Sequence, residues 1–438
     1  MIASVKPQRN LIHPFFITLL AGFIVAGCSG ESARFKRQAE QFMADGHPAE
    51  AVLVYRQALR NNPDDPDLLS GLGMALIAQG RDRSAATVLN QAALLKPEDA
   101  SIKKALVELI ARPQDGLYLK LAWLFSNMED EPVGVAVVSG RIFVAYAGGH
   151  LVALDQSSGQ VLWDIDALVV LSSPPTAEAG QVWIGAEDGS ILVYDVGTGR
   201  KMGDYLTKGA VYAAPTLTES LAFCASNDGS LYALERNNFT LTWKAVIGQA
   251  LHASPAVGEG KVYIGSMDGR LYGFNASTGE RIWPYGILTK GPVESIPALS
   301  NGRIFFGSGD GRIYSLDAET GGEYWHFSTP DAVFARPLVL NDQLIVASSG
   351  QVIASVGLMD GTPTWSVTFS HPIPSAPVYY KDRLYLVTNG DPHLFAVDAQ
   401  TGKRLGDLNT GDWIAGGPIA AGNDLILVGK DGAVFLYR

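Results

Sequence analysis

The chain has 438 residues, with 44 acidic against 33 basic side chains and a formal net charge of −11. That balance argues against a general nucleic-acid binder, which needs a basic footprint. The only cysteines, Cys28 and Cys224, cannot build a disulfide framework, and the length points to more than one domain.

Residues 1–27 open with Lys6 and Arg9, carry no acid, and run apolar from Leu11 to Ala26, interrupted by His13 and Pro14. This is the layout of a secretory signal, too short and wrongly flanked for a membrane span. The run ends in Ile24-Val25-Ala26-Gly27-Cys28 and resembles the bacterial lipobox, in which cleavage falls before the cysteine and the thiol receives a diacylglyceryl group. Cys28 is therefore the expected lipidation site, followed by a short lipidated tether over 28–31. An ordinary signal peptide with a chance cysteine is the plainer alternative. Several acyl chains meet the requirement that stable anchoring takes more than one. Ser29 after the cysteine, by resemblance to enteric lipoproteins, favours the periplasmic face of the outer membrane. Cys224, within LAFCASNDG, reads as a buried structural cysteine on an alternating strand.

Residues 32–112 carry a repeat of period 34: Phe35, Phe42, Gly46, Ala51, Tyr55, Ala58 and Pro63 map onto Leu69, Leu76, Gly80, Ala85, Leu89, Ala92 and Pro97. Small residues where helices cross and a proline closing each unit resemble the tetratricopeptide repeat. The expected structure is two helical hairpins, with 100–112 as a capping helix. Two repeats are fewer than the roughly three that an independent solenoid needs, so the arm should lean on the rest of the chain or on a partner. It would present a groove for a peptide or helix; a mere spacer is the alternative. With only a few residues of tether, about 15 Å of extended chain, the arm would sit close to the bilayer.

From 117 to 438 one unit recurs. LYGFNASTGERIW (271–283) is echoed by LVALDQSSGQVLW (151–163), LVYDVGTGRKMG (192–203), LYALERNNFTLTW (231–243), IYSLDAETGGEYW (313–325), IASVGLMDGTPTW (353–365) and LFAVDAQTGKRLG (394–406). An alternating strand runs into a polar turn and a second strand, the pattern of a β-hairpin. The anchor position (Asp155, Asp195, Glu235, Asn275, Asp317, Gly357, Asp398) steps by 40, 40, 40, 42, 40 and 41. One step further lies Arg438, closing AVFLYR, while the missing tryptophan half stands upstream in LKLAWLFSN at Trp123. Strands from both ends of the region thus complete one split sheet. The fold expected is mainly β with an α-helical arm: an eight-bladed propeller of four-stranded antiparallel blades. A proline (Pro175, Pro215, Pro255, Pro297, Pro337, Pro377, Pro418) enters one strand of each unit. Asp-Gly pairs such as Asp188-Gly189 predict tight two-residue hairpin turns. The repeated tryptophan is expected to pack between blades.

Chemistry is sparse. The histidines lie at no zinc spacing, and there is no G-x-S-x-G, P-loop or EF-hand loop. The A/Y-x-L-D-x-x-T-G-x-x-x-W string resembles the repeat of quinoprotein dehydrogenases, which implies pyrroloquinoline quinone and calcium on the propeller axis and often a vicinal disulfide. This chain has no adjacent cysteines, and its blades are close to minimal. A closer resemblance is to the BamB-like propeller lipoproteins of the outer-membrane β-barrel assembly machinery. That resemblance implies a non-catalytic, lipid-anchored scaffold without a cofactor, monomeric by itself, whose partners are other envelope proteins such as the assembly machinery and its substrates. An adaptor or sensor in another envelope complex, or a quinone-dependent dehydrogenase, are the alternatives.

In a propeller the connections into the innermost strands gather at one mouth of the channel. Here they offer Tyr212, His252, Glu294, Phe334, Arg336 and Trp413 as partner-binding candidates, since aromatics and arginine are enriched at binding hot spots. Inward packing is the alternative for each. A two-residue insertion in WPYGILTKGPVES (283–295) adds Tyr285, Leu288 and Lys290, read as part of the same longer mouth loop as Glu294.

Overall fold

The computed structural model describes residues 28–96, 99–111, 119–125, 130–410 and 413–438; the segment 1–27, expected to be a secretory signal, lies outside them. Five helices come first: α1 (Cys28–Ala44), α2 (Pro48–Asn61), α3 (Pro66–Ala78), α4 (Asp82–Leu95) and α5 (Ala100–Ala111). Prolines at the first position of α2 and α3 fit the orphan N–H sites of a helix start. The Asp65 carboxylate caps α3 by accepting the Asp67 and Leu68 N–H groups at 3.0 and 3.2 Å. Because α1 opens at Cys28, the residues expected as an extended tether form its first turn.

The arm does lean on the propeller. Its buried side chains, Tyr55, Leu72, Leu89 and Leu109 among them, form one continuous apolar cluster with Leu119, Leu124, Tyr385, Leu394, Leu425 and Phe435. The last four belong to the final two blades, which cover the face that two short repeats cannot bury alone.

The rest is eight four-stranded antiparallel sheets. Seven of them take their strands in chain order from the innermost outward; the first contains Pro132–Val138, Arg141–Tyr146, His150–Asp155 and Val161–Asp166. Blade eight is the split one. Leu121–Phe125 pairs with Val434–Tyr437, placing Trp123 opposite Leu436. Lys120 and Arg438 exchange both backbone hydrogen bonds at 2.9 Å. Pairing strands from both ends of the propeller in one sheet ties the ring shut.

The tryptophans lock neighbouring blades as expected. The Trp163 indole lies against the Cα of Gly199 in the next blade's polar turn and donates to the Val196 carbonyl at 3.1 Å. Trp123, Trp243, Trp283 and Trp365 repeat both contacts. Gly199 has φ +69° and no room for a Cβ, so glycine is required there twice over.

The Asp-Gly turns differ from expectation. Ala186 and Ser190 pair across Glu187-Asp188-Gly189, and only the glycine has positive φ. These are three-residue loops ending in a left-handed glycine. The two-residue turns with both φ positive are at the inner hairpins, for example Ala179-Gly180 and Asn301-Gly302.

Candidate functional site

Each connection into an innermost strand bonds to the Asp-Gly-type turn of the blade it enters: Asn227 N–H donates to the Ala210 carbonyl and Lys430 N–H to that of Trp413. Both kinds of loop therefore share one end of the ring. Along each connection a buried aliphatic residue (Val211, Leu251, Val293, Val333) pins the loop, and the next side chain points outward. Four consecutive blades place large groups at that outward position, namely Tyr212, His252, Glu294 and Phe334. Ser172, Pro374 and Ala415 occupy it elsewhere. At this one repeat position the mouth is thus lopsided, with large groups on one arc and small ones on the other.

The first three of these candidates meet. Tyr212 and His252 stack edge to face with centroids 6.0 Å apart. One His252 ring nitrogen is 3.1 Å from the Asn227 amide oxygen, and the other is 3.6 Å from the Glu294 carboxylate. The imidazole is held by its neighbours on both sides while the Tyr212 ring stays exposed. Phe334 stands exposed on the next blade. Arg336, two residues on, lines the central channel. Trp413 is two blades away from Phe334, with the Lys430 ammonium 5.4 Å from its ring.

The insertion is not at the mouth. In other blades the outer strand pairs with its neighbour along its length with a single bulge, but here pairing breaks between Arg281 and Ile287. Pro284, Tyr285 and Gly286 bulge from the outer strand, and Arg270 donates to the carbonyls of Tyr285 and Gly286 at 3.0 and 3.3 Å. Tyr285 and Leu288 consequently lie on the outer rim, and Lys290 on the connection leading away from it. Two added residues can be absorbed at an exposed strand edge without disturbing the inner pairings. Leu288 also has companions the sequence reading passed over. Leu206 and Val246 end the outer strands of blades two and three, and the three are 67, 64 and 63% exposed. The repeat register itself would have revealed them.

A second cluster escaped because its members come from separate segments: the connection at His371, the turn and strand start at Asp391 and His393, and the outer strand at Asp407. His371 and His393 flank Asp391: His393 hydrogen-bonds one carboxylate oxygen, and His371 Nδ1 is 3.6 Å from the other. Asp407 lies 3.6 Å from the far nitrogen of His393.

Most other acids are structural. The hydroxyls of Tyr272 and Tyr314 donate to Asp268 and Asp310 at 2.6 Å, and burial followed by those carboxylates pushes both phenols up to about 12. Asp317 accepts the N–H groups of Glu319 and Thr320 and the Tyr324 hydroxyl, which pulls its carboxyl down to about 2. Cys224 is fully buried, and burial raises its thiol well above the ordinary range.

The channel walls test the quinoprotein resemblance. Two cavities, of about 470 and 380 Å³, are lined by prolines, small residues and aliphatics, with Glu178 and Arg336 as the charged groups. Among the described residues no set of three or more His, Cys, Asp or Glu is placed to hold a metal ion. These walls do not fit a calcium-bound quinone.

Comparison with known proteins follows this geometry. A sequence model described as outer membrane protein assembly factor BamB matches residues 119–202, 205–295 and 287–410. The chain belongs to the BamB family. A tetratricopeptide-repeat model matches 42–109, within the helical arm. No curated protein matches by sequence. Among solved structures, BamB from Moraxella catarrhalis is 18% identical and superposes with a TM-score of 0.65 over 73% of this chain and 97% of its own. The computationally designed Ika8 protein is 17% identical with a TM-score of 0.66, over 73% of this chain and 99% of its own. A designed protein superposes as well as a BamB, so these likenesses establish the fold. Family membership rests on the sequence match.

Proposed function

We propose that this chain is a lipid-anchored, non-catalytic scaffold on the periplasmic face of the outer membrane, acting as an accessory factor in β-barrel protein assembly. The observation that carries the reading is the BamB family match across the propeller. The lopsided mouth supports it, because aromatic and charged groups gathered on one arc suit the docking of a polypeptide. Tyr212, His252, Glu294 and Phe334 form the docking arc, with Trp413 on its far side. The rim residues Tyr285 and Leu288, and Lys290 beside them, lie outside this arc. Acylation at Cys28 would put the start of α1 at the bilayer and leave the arm between membrane and propeller.

Three experiments test this. A photocrosslinking residue in place of Tyr212, in living cells, should capture a component of the barrel-assembly machinery. Capture of an unrelated envelope complex alone would replace the reading with that of a general adaptor. Cys28→Ala should move the protein from the membrane fraction to the soluble periplasm. Saturable dye-linked turnover after addition of pyrroloquinoline quinone and calcium would remove the scaffold reading altogether.

A further inference from the structure

The central channel contains one feature that neither folding nor docking at the mouth requires. At the position just before each inner-strand proline, the side chains are Pro174, Ala214, Ser254, Ile296, Ala376 and Gly417, all small or apolar, and then Arg336. Arg336 is exposed to the channel, borders both cavities, and is paired with no acceptor among the described residues. Its guanidinium is permanently charged and offers a planar fork of donors matched to a carboxylate. The cavity it shares with Pro215, Pro255, Pro297 and Leu299 holds about 470 Å³ and is bordered at its far side by Glu178. Glu178 belongs to blade two and Arg336 leads into blade six, so they lie on opposite sides of an eightfold ring. The Glu178 carboxylate, half exposed, lies 4.0 Å from the buried Arg236 guanidinium.

We propose that the channel binds a ligand carrying one carboxylate on an apolar body, anchored at Arg336. A single guanidinium balances a single negative charge, and the Glu178 carboxylate in the same cavity disfavours a dianion such as a phosphate monoester. Proline and aliphatic walls take the apolar body. A free carboxylic acid and the carboxyl terminus of a polypeptide present this same chemistry.

The full chain is titrated calorimetrically with acetyl-leucyl-phenylalanine, with its carboxyl-terminal amide, and with 3-phenylpropanoate. The free-acid peptide should bind roughly ten- to a hundredfold more tightly than its amide, the worth of a hydrogen bond to a charged group. Arg336→Gln should abolish that preference while leaving the thermal unfolding midpoint unchanged, and Arg336→Lys should restore part of it. Binding of 3-phenylpropanoate as tight as the peptide's identifies a free acid as the ligand; binding of the peptide alone identifies a chain terminus. Equal affinity for acid and amide, a preference retained in Arg336→Gln, or no heat from any probe at about 10 mM overturns the proposal. Crosslinking at Tyr212 is unaffected by any of these outcomes, so the docking reading stands or falls separately.

Discussion

Six like blade junctions and two exceptions show what joins the ring. At six, an indole from one blade's outer strand lies on a turn glycine of the next. Between blades two and three the sizes are exchanged: Gly203 stands where the tryptophan should be, and Phe239 stands at the turn position, its ring over Gly203. Phe239 keeps the glycine's backbone, with φ +61°, and packs edge-on to Trp183 at 5.7 Å. The junction from blade seven to eight also has a glycine, Gly406, but blade eight has no polar turn to meet it, because its outer strand is Leu121–Phe125. What the junction preserves is a filled volume made of one ring and one residue without a Cβ. Which blade supplies the ring is secondary.

The largest effect should come from emptying an ordinary junction. Trp163→Ala removes a buried ring and orphans the Val196 carbonyl. The expected loss is about 3–5 kcal/mol, read as a lower urea midpoint with an unchanged slope. A loss under about 1 kcal/mol would show that the ring is held together elsewhere.

The exchanged junction allows a sharper comparison. Phe239→Gly alone opens a cavity over Gly203 and should cost about 2–3 kcal/mol, the cavity penalty less the relief of a left-handed backbone. Gly203→Trp alone drives an indole into Phe239 and should cost about 1–3 kcal/mol. The double variant rebuilds the standard pair. Its loss should fall short of the sum by about 1–3 kcal/mol, measured by a double-mutant cycle in urea. Strict additivity would mean that the two positions do not share one volume.

These junctions also mark how far the sequence could be read. The period of about 40, the anchors and Trp123 opposite AVFLYR revealed the ring and its closure, because each repeat must place the same residue in the same contact. The exchange at Gly203 and Phe239 looked like two losses of motif, since a compensation between blades is visible only when both sides are seen at once. The Asp-Gly turns were misread for a related reason. A two-residue and a three-residue loop differ by where pairing resumes, and alternation alone does not fix that register. The insertion at 283–295 was legible as a length, but the strand edge that absorbed it was not. Tyr212, His252 and Glu294 were found from their shared repeat position. Arg336 was found the same way, though its free space in the channel required coordinates. His393 is only two residues from Asp391 and bonds to it locally, but His371 lies on a separate connection, and nothing in the sequence brings it to the same carboxylate.

Below the aromatic junctions in strength come the turns that meet them. In folded protein the Asp317 carboxyl is pulled down to about 2 by the Thr320 N–H and hydroxyl and the Tyr324 hydroxyl. A carboxyl depressed in the folded state stabilises it above the ordinary carboxylate value and loses that contribution as pH falls toward the folded value. Asp155, Asp195 and Asp398 are lowered by the same kind of turn hydrogen bonds. The melting temperature should therefore fall between about pH 4 and pH 2. Asp317→Asn should be the less stable protein at neutral pH and should lose its deficit within that window. A constant difference from pH 6 to pH 2 would show that the turn is held by its backbone alone.

The smallest effect is expected on the outer rim, where His150 lies 3.0 Å from Asp164 with both side chains more than a third exposed. The hydrogen bond to Asp164, aided by the nearby Asp166 and Asp130 charges, raises the imidazole above its ordinary value. A histidine raised by a partner adds stability that is complete below its unfolded pKa and fades as pH rises through the folded one. Solvent screening limits the pair to within about 1 kcal/mol, so a thermal scan is too blunt and proton NMR is the better measure. Asp164→Asn should lower the His150 titration midpoint, while the melting temperature at about pH 8 stays that of the unaltered protein. An unmoved midpoint would assign the shift to Asp166 and Asp130, leaving the blade's outer edge with no electrostatic tie of its own.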